Sequence, residues 1–140
     1  MTPTTVFSIV NTMAMSMWVL MLFLPRWKLT RFLIDYKVVP ILLSVVYAMY
    51  IIRSILSNGL LDFGSLSSVM QLFTEEHIAL AGWVHYLAFD LLVGMWILDK
   101  NKALGIHHML IAPCLFLTFL FGPIGFLLFI LIKMLKPKKP

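Results

Sequence analysis

Two ionisable side chains that could exchange protons lie close together in an otherwise apolar part of the sequence. They are His85 and Asp90, in the stretch AGWVHYLAFD at 81–90. Burying a carboxyl group and an imidazole in hydrocarbon is costly unless partners or water satisfy them. A buried carboxyl group favours its neutral form and can donate a proton, and a neutral imidazole can accept one. The stretch therefore predicts acid/base chemistry, or polar recognition of a ligand, inside a membrane.

Helical geometry places the two groups on different sides of one helix. At roughly 100° per residue, Asp90 shares a face with Trp83, Tyr86 and Gly94, whereas His85 lies about 140° away. We predict that Asp90 and His85 flank a site from either side of an inward face. An alternative interpretation stays open, in which Asp90 bonds a hydroxyl or backbone group and only fixes helix packing.

Other polar residues near the ends of apolar segments are further candidates. Glu76 precedes the segment of Asp90, His108 begins the next segment, and Asn11 and Pro123 lie within apolar runs. The residue types would suit iron, manganese or zinc. However, the sequence contains neither H-x-x-x-H nor E-x-x-H spacing, so we predict neither a metal nor a cofactor.

Composition identifies the environment in which these residues must work. The chain has 140 residues, of which 61% are hydrophobic and 12% charged, and its mean hydropathy is +0.98. A soluble domain is about half apolar and a quarter charged, so the sequence predicts an integral membrane protein with a single domain over 1–140. The net charge of +5 comes from basic residues between or beyond the apolar runs. This pattern is typical of membrane topology and lipid contact, and it excludes a nucleic-acid surface.

Four segments have the roughly 20 apolar residues that a bilayer span requires. They cover about 6–24, 38–56, 78–98 and 109–135, and the last is interrupted by GPIG at 122–125. Apolar residues recur at helical spacing from Leu66 to Phe73, which predicts a short amphipathic helix in the membrane interface at about 65–76, capped by Ser65. The predicted fold is an all-α four-helix transmembrane bundle with this interfacial helix and a kinked or broken fourth helix.

Charge bias predicts the orientation of the spans. The first and third loops are basic and the second is acidic, so the first and third should face the cytoplasm or its equivalent. The basic C-terminus conflicts with four simple spans, which place both termini on the other side. Its lysines are Lys133, Lys136, Lys138 and Lys139. Either the fourth segment is two half-helices that turn back at GPIG, or the tail violates the bias. We expect four spans with a kinked or broken fourth.

The motifs also resemble a known family. LAGWVHYLAFDL at 80–91, followed by His108 and LFGPIG at 120–125, resembles the abscisic-acid-deficient-like membrane proteins that plants need for neoxanthin synthesis. The resemblance covers nearly the whole chain. It implies conversion of violaxanthin, a diepoxide, to the allenic carotenoid neoxanthin. Relatives also occur in bacteria, and the absence of a transit peptide predicts a bacterial inner-membrane location. Met95 departs from the pattern, because many members carry arginine there.

The expected function is therefore to act on or bind a carotenoid or related isoprenoid, by acid/base isomerisation of an epoxide end group if the protein is an enzyme. Asp90 and His85 are the expected pair, with Glu76 and His108 as second candidates at the cavity mouths. The remaining expected substrate-binding residues are Trp83, Tyr86, Gly94, Asn11 and Pro123. The alternatives are a non-catalytic protein that binds lipid or assists a partner, and a small proton-coupled carrier. Expected partners are membrane lipid and a long apolar ligand, and homo-oligomers stay open.

Overall fold

All regular secondary structure in the described part of the chain is α-helical. The computed structural model describes residues 1–136, so Lys138 and Lys139 of the basic tail lie outside the described residues. Seven helices occur within 1–136, in the order α1 (Pro3–Phe23), α2 (Lys28–Asp35), α3 (Val38–Asn58), α4 (Leu66–Leu72), α5 (Glu76–Leu104), α6 (His108–Phe121) and α7 (Pro123–Leu135). The all-α prediction is confirmed for these residues.

Three helices are long and apolar enough to cross a bilayer. They are α1, α3 and α5, and each contains most of a segment predicted to span. The longest, α5, has 29 residues and extends beyond the predicted end at 98 to Leu104. A hydrocarbon core of about 30 Å requires roughly 20 helical residues, so each of the three meets the requirement. These helices identify the chain as a membrane protein.

The expected fourth span is two helices joined at a sharp turn. Between α6 and α7, Gly122 has φ 43° and ψ −89°, a conformation that only glycine adopts readily. Pro123 then begins α7, where its missing N–H leaves no helical bond unmade. The predicted break at GPIG is confirmed. At 14 and 13 residues, or roughly 20 Å each, neither helix is a span by length, and the predicted four-helix transmembrane bundle is not confirmed.

The second of these helices folds back on the first. Gly125 of α7 lies directly against the backbone amide of Thr118 and the carbonyl of Cys114, both in α6. A straight helix would separate Cys114 from Gly125 by about 16 Å, so this contact requires the chain to reverse at Gly122. We call α6 and α7 together the hairpin.

A short helix in the first loop was not predicted. In α2, Thr30 and Ile34 are buried one turn apart, so the helix has one inward face among exposed basic and aromatic residues. It ends where Lys37 takes φ 51° and its ammonium group donates to the Ile34 carbonyl at 2.6 Å. The basic residues of this loop were interpreted only as a signal of membrane orientation, and its helical period was not considered.

The amphipathic helix of the second loop is confirmed, with shorter bounds. Ser65 caps α4 as predicted, because its hydroxyl accepts from the Ser68 amide at 3.1 Å. The helix is α4 (Leu66–Leu72) instead of 65–76, since Glu76 already belongs to α5. Before it, hydrogen bonds from the Gly64 amide and the Ser68 hydroxyl lower the pKa of Asp62. The interfacial location of α4 stays a prediction.

The chain divides into two compact units. The first unit comprises Met1–Ala14 and Val38–Phe89, and the second comprises Met15–Lys37 and Asp90–Pro140. Helices α1 and α5 contribute a part to each unit, α3 and α4 belong to the first, and α2 and the hairpin belong to the second. Each unit contains some of the predicted site residues, and the single-domain prediction stays a prediction.

Candidate functional site

Asp90 is the most deeply buried of the described acidic and basic residues of the second unit. It is the central residue of the 29-residue helix α5, and only 8% of its surface is exposed. Its neighbours Leu91 and Met95 are buried apolar residues. The structure therefore holds a buried carboxyl group at the middle of a candidate span.

The turn of the hairpin lies against this carboxyl group. A Cβ atom on Gly122 would be 2.5 Å from Oδ1 of Asp90, so only glycine allows the backbone to approach so closely. Pro123 opens α7 at this point, and the positive end of the α7 helix dipole therefore lies beside Asp90. The sequence predicted the break at GPIG and the importance of Asp90 separately, and the structure brings the two together.

Gly94 lies one turn further along α5 and also makes a close helix contact. A Cβ atom there would be 2.7 Å from both the Met21 and Trp18 side chains of α1. The Trp18 ring also packs on Phe119 of the hairpin, with ring centroids 5.7 Å apart. Gly94 is thus a position of close packing between α1 and α5. The predicted role of Gly94 in substrate binding stays a prediction.

Within the first unit, His85 lies on the exposed side of α5. Its ring packs between Phe89, at 4.7 Å, and Tyr47 of α3, at 5.4 Å between centroids. His85 is exposed, so its imidazole is available to a ligand or to lipid on that side of the helix. The structure places His85 among aromatic rings and places Asp90 in the other unit.

In the first unit, two predicted residues, Glu76 and Trp83, also line a small cleft. Trp83 donates its indole N–H to Oδ1 of Asn11 at 2.8 Å, and its ring packs on Phe7 and Tyr86. Trp83 and Phe7 line a cleft of about 370 Å³ together with Glu76, whose carboxylate is the only acidic group among the lining residues. We call this the aromatic cleft. Asn11 therefore orients Trp83, which is a role that the sequence did not specify.

The second unit contains a larger and more polar pocket at the ends of α1, α5 and α6. Its volume is about 990 Å³, and His108 lies in its wall. The Nε2 atom of His108 is 2.8 Å from the Leu22 carbonyl oxygen, so the start of α6 is held to the end of α1. Basic residues of the first loop also line this pocket, among them Arg26 and Arg31. We call this the basic pocket.

Ion pairs of Asp99 and Lys102, which both line the basic pocket, neutralise some of its charges. Asp99 pairs with Lys37 at 3.3 Å and with Lys102 at 2.9 Å, and Lys102 also pairs with Asp35 at 3.6 Å. Two lysines thus balance two carboxylates. Asn101 adds a backbone clamp, because its side chain accepts from the Ile106 amide and donates to the Ile106 carbonyl, each at 2.8 Å.

No group of three or more histidine, cysteine, aspartate or glutamate side chains is placed to hold a metal ion within residues 1–136. Cys114 is buried in α6, and its thiol donates to the Leu110 carbonyl at 3.4 Å. The prediction that the protein uses no metal or cofactor stays a prediction.

Sequence reasoning missed two groups of residues that shape these sites. Gly122 was recognised as part of a break, but its contact with Asp90 was not predicted because periodicity does not reveal which helices touch. Arg26 and Arg31 were read as topology signals.

The described residues thus define an all-α membrane protein with three candidate spans and a helical hairpin. The chain belongs to the ABA DEFICIENT 4-like family, because the model of that family matches residues 5–129. This confirms the resemblance that the W-x-H-x-x-x-x-D and GPIG motifs indicated. Comparison with curated proteins and with solved structures gives no match.

Proposed function

We propose that this protein acts on a carotenoid or a related isoprenoid by acid/base isomerisation of an epoxide end group, with Asp90 as the acid. Family membership supports a carotenoid-related role in a membrane. The observation that carries the proposal is the burial of the Asp90 carboxyl group at the centre of α5, beside the chain reversal at Gly122. A carboxyl group so placed can give a proton to a polar atom of a ligand that reaches it.

The reaction is balanced without a redox cofactor. Asp90 gives a proton to the epoxide oxygen as a carbon–oxygen bond breaks, and a base removes a proton from a carbon of the polyene as the allene double bond forms. The product is an isomer of the substrate that carries a new hydroxyl group. We propose His85 as the base, since an imidazole nitrogen can accept a proton. Glu76 and His108 are the second candidates.

The aromatic cleft suits the end ring of such a ligand. Its walls are largely apolar, and Glu76 can accept a hydrogen bond from a ring hydroxyl group. Its volume of about 370 Å³ is within the range of small-molecule pockets, and the indole of Trp83 offers a flat apolar surface. These features support binding of a ring that is apolar except for one hydroxyl group.

Pigment analysis in a host that accumulates violaxanthin tests this function. The protein should convert violaxanthin to a product of equal mass and different absorption spectrum. Asp90→Asn and His85→Ala should each lower conversion by about a hundredfold or more, as expected for loss of a general acid or base. Glu75→Gln, which changes an exposed carboxylate next to Glu76, is the matched control and should be unaffected. Full activity of both site variants, with equal protein levels, would overturn the assignment.

A carrier function is the second candidate, and one observation favours it. Helices broken near an intramembrane carboxylate line substrate and ion pathways in transporters, and Asp90 lies beside such a break. Proteoliposomes with an internal pH dye would show proton uptake that Asp90→Asn abolishes. Bound carotenoid without proton flux or product formation would instead identify a pigment-binding protein.

We also propose that the hairpin enters the membrane and returns to the same side. Its turn lies beside the centre of α5, and on the way back Trp96 of α5 contacts Phe126 and Phe129 of α7, at 5.5 and 5.6 Å between centroids. Helix α7 therefore runs along the second half of α5 in the same direction. This arrangement brings Lys133 and Lys136 to the side of the first loop, which removes the conflict with the positive-inside bias.

Reporter fusions distinguish this topology from four spans. A fluorescent protein fused after Lys136 should fluoresce in a bacterial host, because the C-terminus would lie in the cytoplasm. Alkaline phosphatase at the same point should be inactive. The same two reporters inserted at Asp62 serve as the control, with the opposite result expected. Active phosphatase after Lys136 would establish a fourth crossing instead.

A further inference from the structure

We propose that the basic pocket binds the phosphate group of an anionic phospholipid. The pocket combines three properties that such a ligand requires. They are arginine side chains that form no ion pair within residues 1–136, an apolar wall, and a position at the ends of candidate spans, where lipid headgroups lie. Only His108, a second candidate in the acid/base function proposed above, is common to both sites.

Two arginines remain to bind the ligand once the ion pairs of the lysines are taken into account. Lys37 and Lys102 are balanced by Asp35 and Asp99. In contrast, no carboxylate within residues 1–136 forms an ion pair with Arg26 or Arg31, both of which line the pocket. Guanidinium groups bind phosphate oxygens through paired hydrogen bonds, which ammonium groups cannot match in geometry. The unbalanced charge therefore favours a phosphate anion over a neutral headgroup.

The start of α6 strengthens this preference. His107 and His108 both line the pocket, and His108 is the first residue of this 14-residue helix. The side chain of His107 accepts from the Met109 amide at 3.2 Å and its carbonyl accepts from the Leu110 amide at 2.9 Å, so this helix end acts on a ligand mainly through its dipole. The positive end of the helix dipole thus adds to the charge of the two arginines.

The apolar wall selects a lipid over a free anion. Phe23, Leu24 and Trp27 line the pocket at the end of α1 and remain exposed, at 75%, 48% and 50%. These side chains can pack on the glycerol and the upper acyl carbons of a phospholipid whose phosphate contacts the arginines. Tryptophan at a span end is typical of the headgroup region. A volume of about 990 Å³ accommodates a headgroup together with part of its chains.

Native mass spectrometry of the purified full chain with added lipid tests the proposal. Phosphatidylglycerol should remain bound in preference to phosphatidylcholine with the same acyl chains. Arg26→Gln/Arg31→Gln should bind phosphatidylglycerol about thirtyfold more weakly, which corresponds to roughly 1 kcal/mol for each arginine. The matched control is Lys28→Gln/Lys133→Gln, which removes the same net charge from exposed positions outside the pocket and should change affinity less than threefold or so.

Three results would overturn the proposal. Equal weakening by the two double variants would mean that the net charge of the chain attracts lipid without a site. Equal retention of the two phospholipids would remove the role of charge. Displacement of phosphatidylglycerol by millimolar inorganic phosphate alone would identify a site for a free anion. Isomerisation of carotenoid can be measured on the same variants, and the arginine variant should retain it, so failure of this proposal is distinguishable from failure of the proposed function.

Discussion

The two units differ in the kinds of contact that each contains. In the first unit, aromatic side chains meet one another, as in Trp83 with Phe7 and Tyr86. In the second unit, aromatic side chains also meet, as in Trp96 with Phe129, but there a glycine meets the backbone as well, since Gly125 lies on Cys114 and Thr118. Aromatic contacts can shift by small rotations, whereas backbone contacts fix the separation of two helices. The second unit is therefore the better place for a group whose position must be precise, and it contains Asp90.

The largest difference between the units should come from their glycines. Gly125→Ala would place a methyl group on the backbone of α6, which cannot move without separating the hairpin. We expect a loss of about 3 kcal/mol in the free energy of unfolding, at the upper end for overpacking. Gly82→Ala in the first unit would meet only the ring of Phe73, at 2.5 Å, and this half-exposed ring can turn away.

Thermal unfolding in detergent, followed by circular dichroism, checks this pair. Gly125→Ala should lower the midpoint clearly, and Gly82→Ala should lower it little. Equal midpoints would show that the hairpin tolerates displacement of its helices and that the two units do not differ in rigidity.

A smaller difference in the free energy of unfolding should separate variants of Asn101, in the second unit, and Asn11, in the first. Asn101 holds both backbone groups of Ile106, so Asn101→Ala removes two hydrogen bonds from the turn between α5 and α6. We expect a loss of about 2 kcal/mol, because each removed bond to a half-buried backbone group costs roughly 1 kcal/mol. Hydrogen exchange should rise first at residues 105–108. Unchanged exchange there would mean that the turn is held without Asn101.

Asn11→Ala in the first unit should have the weaker effect of this pair. It removes one acceptor from the indole of Trp83. Hydrogen bonds between membrane helices are worth roughly 0.6 kcal/mol, so we expect a loss of that order. The emission of Trp83, isolated by replacing the other three tryptophans with phenylalanine, should report the lost hydrogen bond. A loss as large as that of Asn101→Ala would contradict the contrast between the units.

The smallest effect should come from the ion pairs of the second unit. Lys102 contacts Asp35 and Asp99 but remains 43% exposed, so solvent screens both interactions. Lys102→Gln should lower the free energy of unfolding by about 0.5 kcal/mol at low salt. The difference between variant and parent should vanish near 1 M salt, where the screening length is about 3 Å. A difference that survives such salt would assign Lys102 a packing role.

The sequence predicted those features that depend on a single helix and not on its neighbours. Length and hydropathy predicted α1, α3 and α5, the Ser65 cap followed from residue type, and GPIG predicted a break. Contacts between helices could not be predicted from the sequence. Nothing in the period of α5 says that Asp90 faces Gly122, because that register depends on where α7 returns. The exposure of His85 could not be predicted either, since helical angles place residues relative to one another and not relative to a neighbouring helix.

The hairpin also has a consequence for the order in which the protein is made. A broken helix cannot be released alone into lipid, because its interrupted backbone would lie in hydrocarbon without cover. In the topology proposed above, α5 supplies this cover, and it is synthesised before the hairpin. The covering helix therefore already exists when the hairpin leaves the ribosome. A circular permutant that begins with the hairpin would reverse that order during biosynthesis.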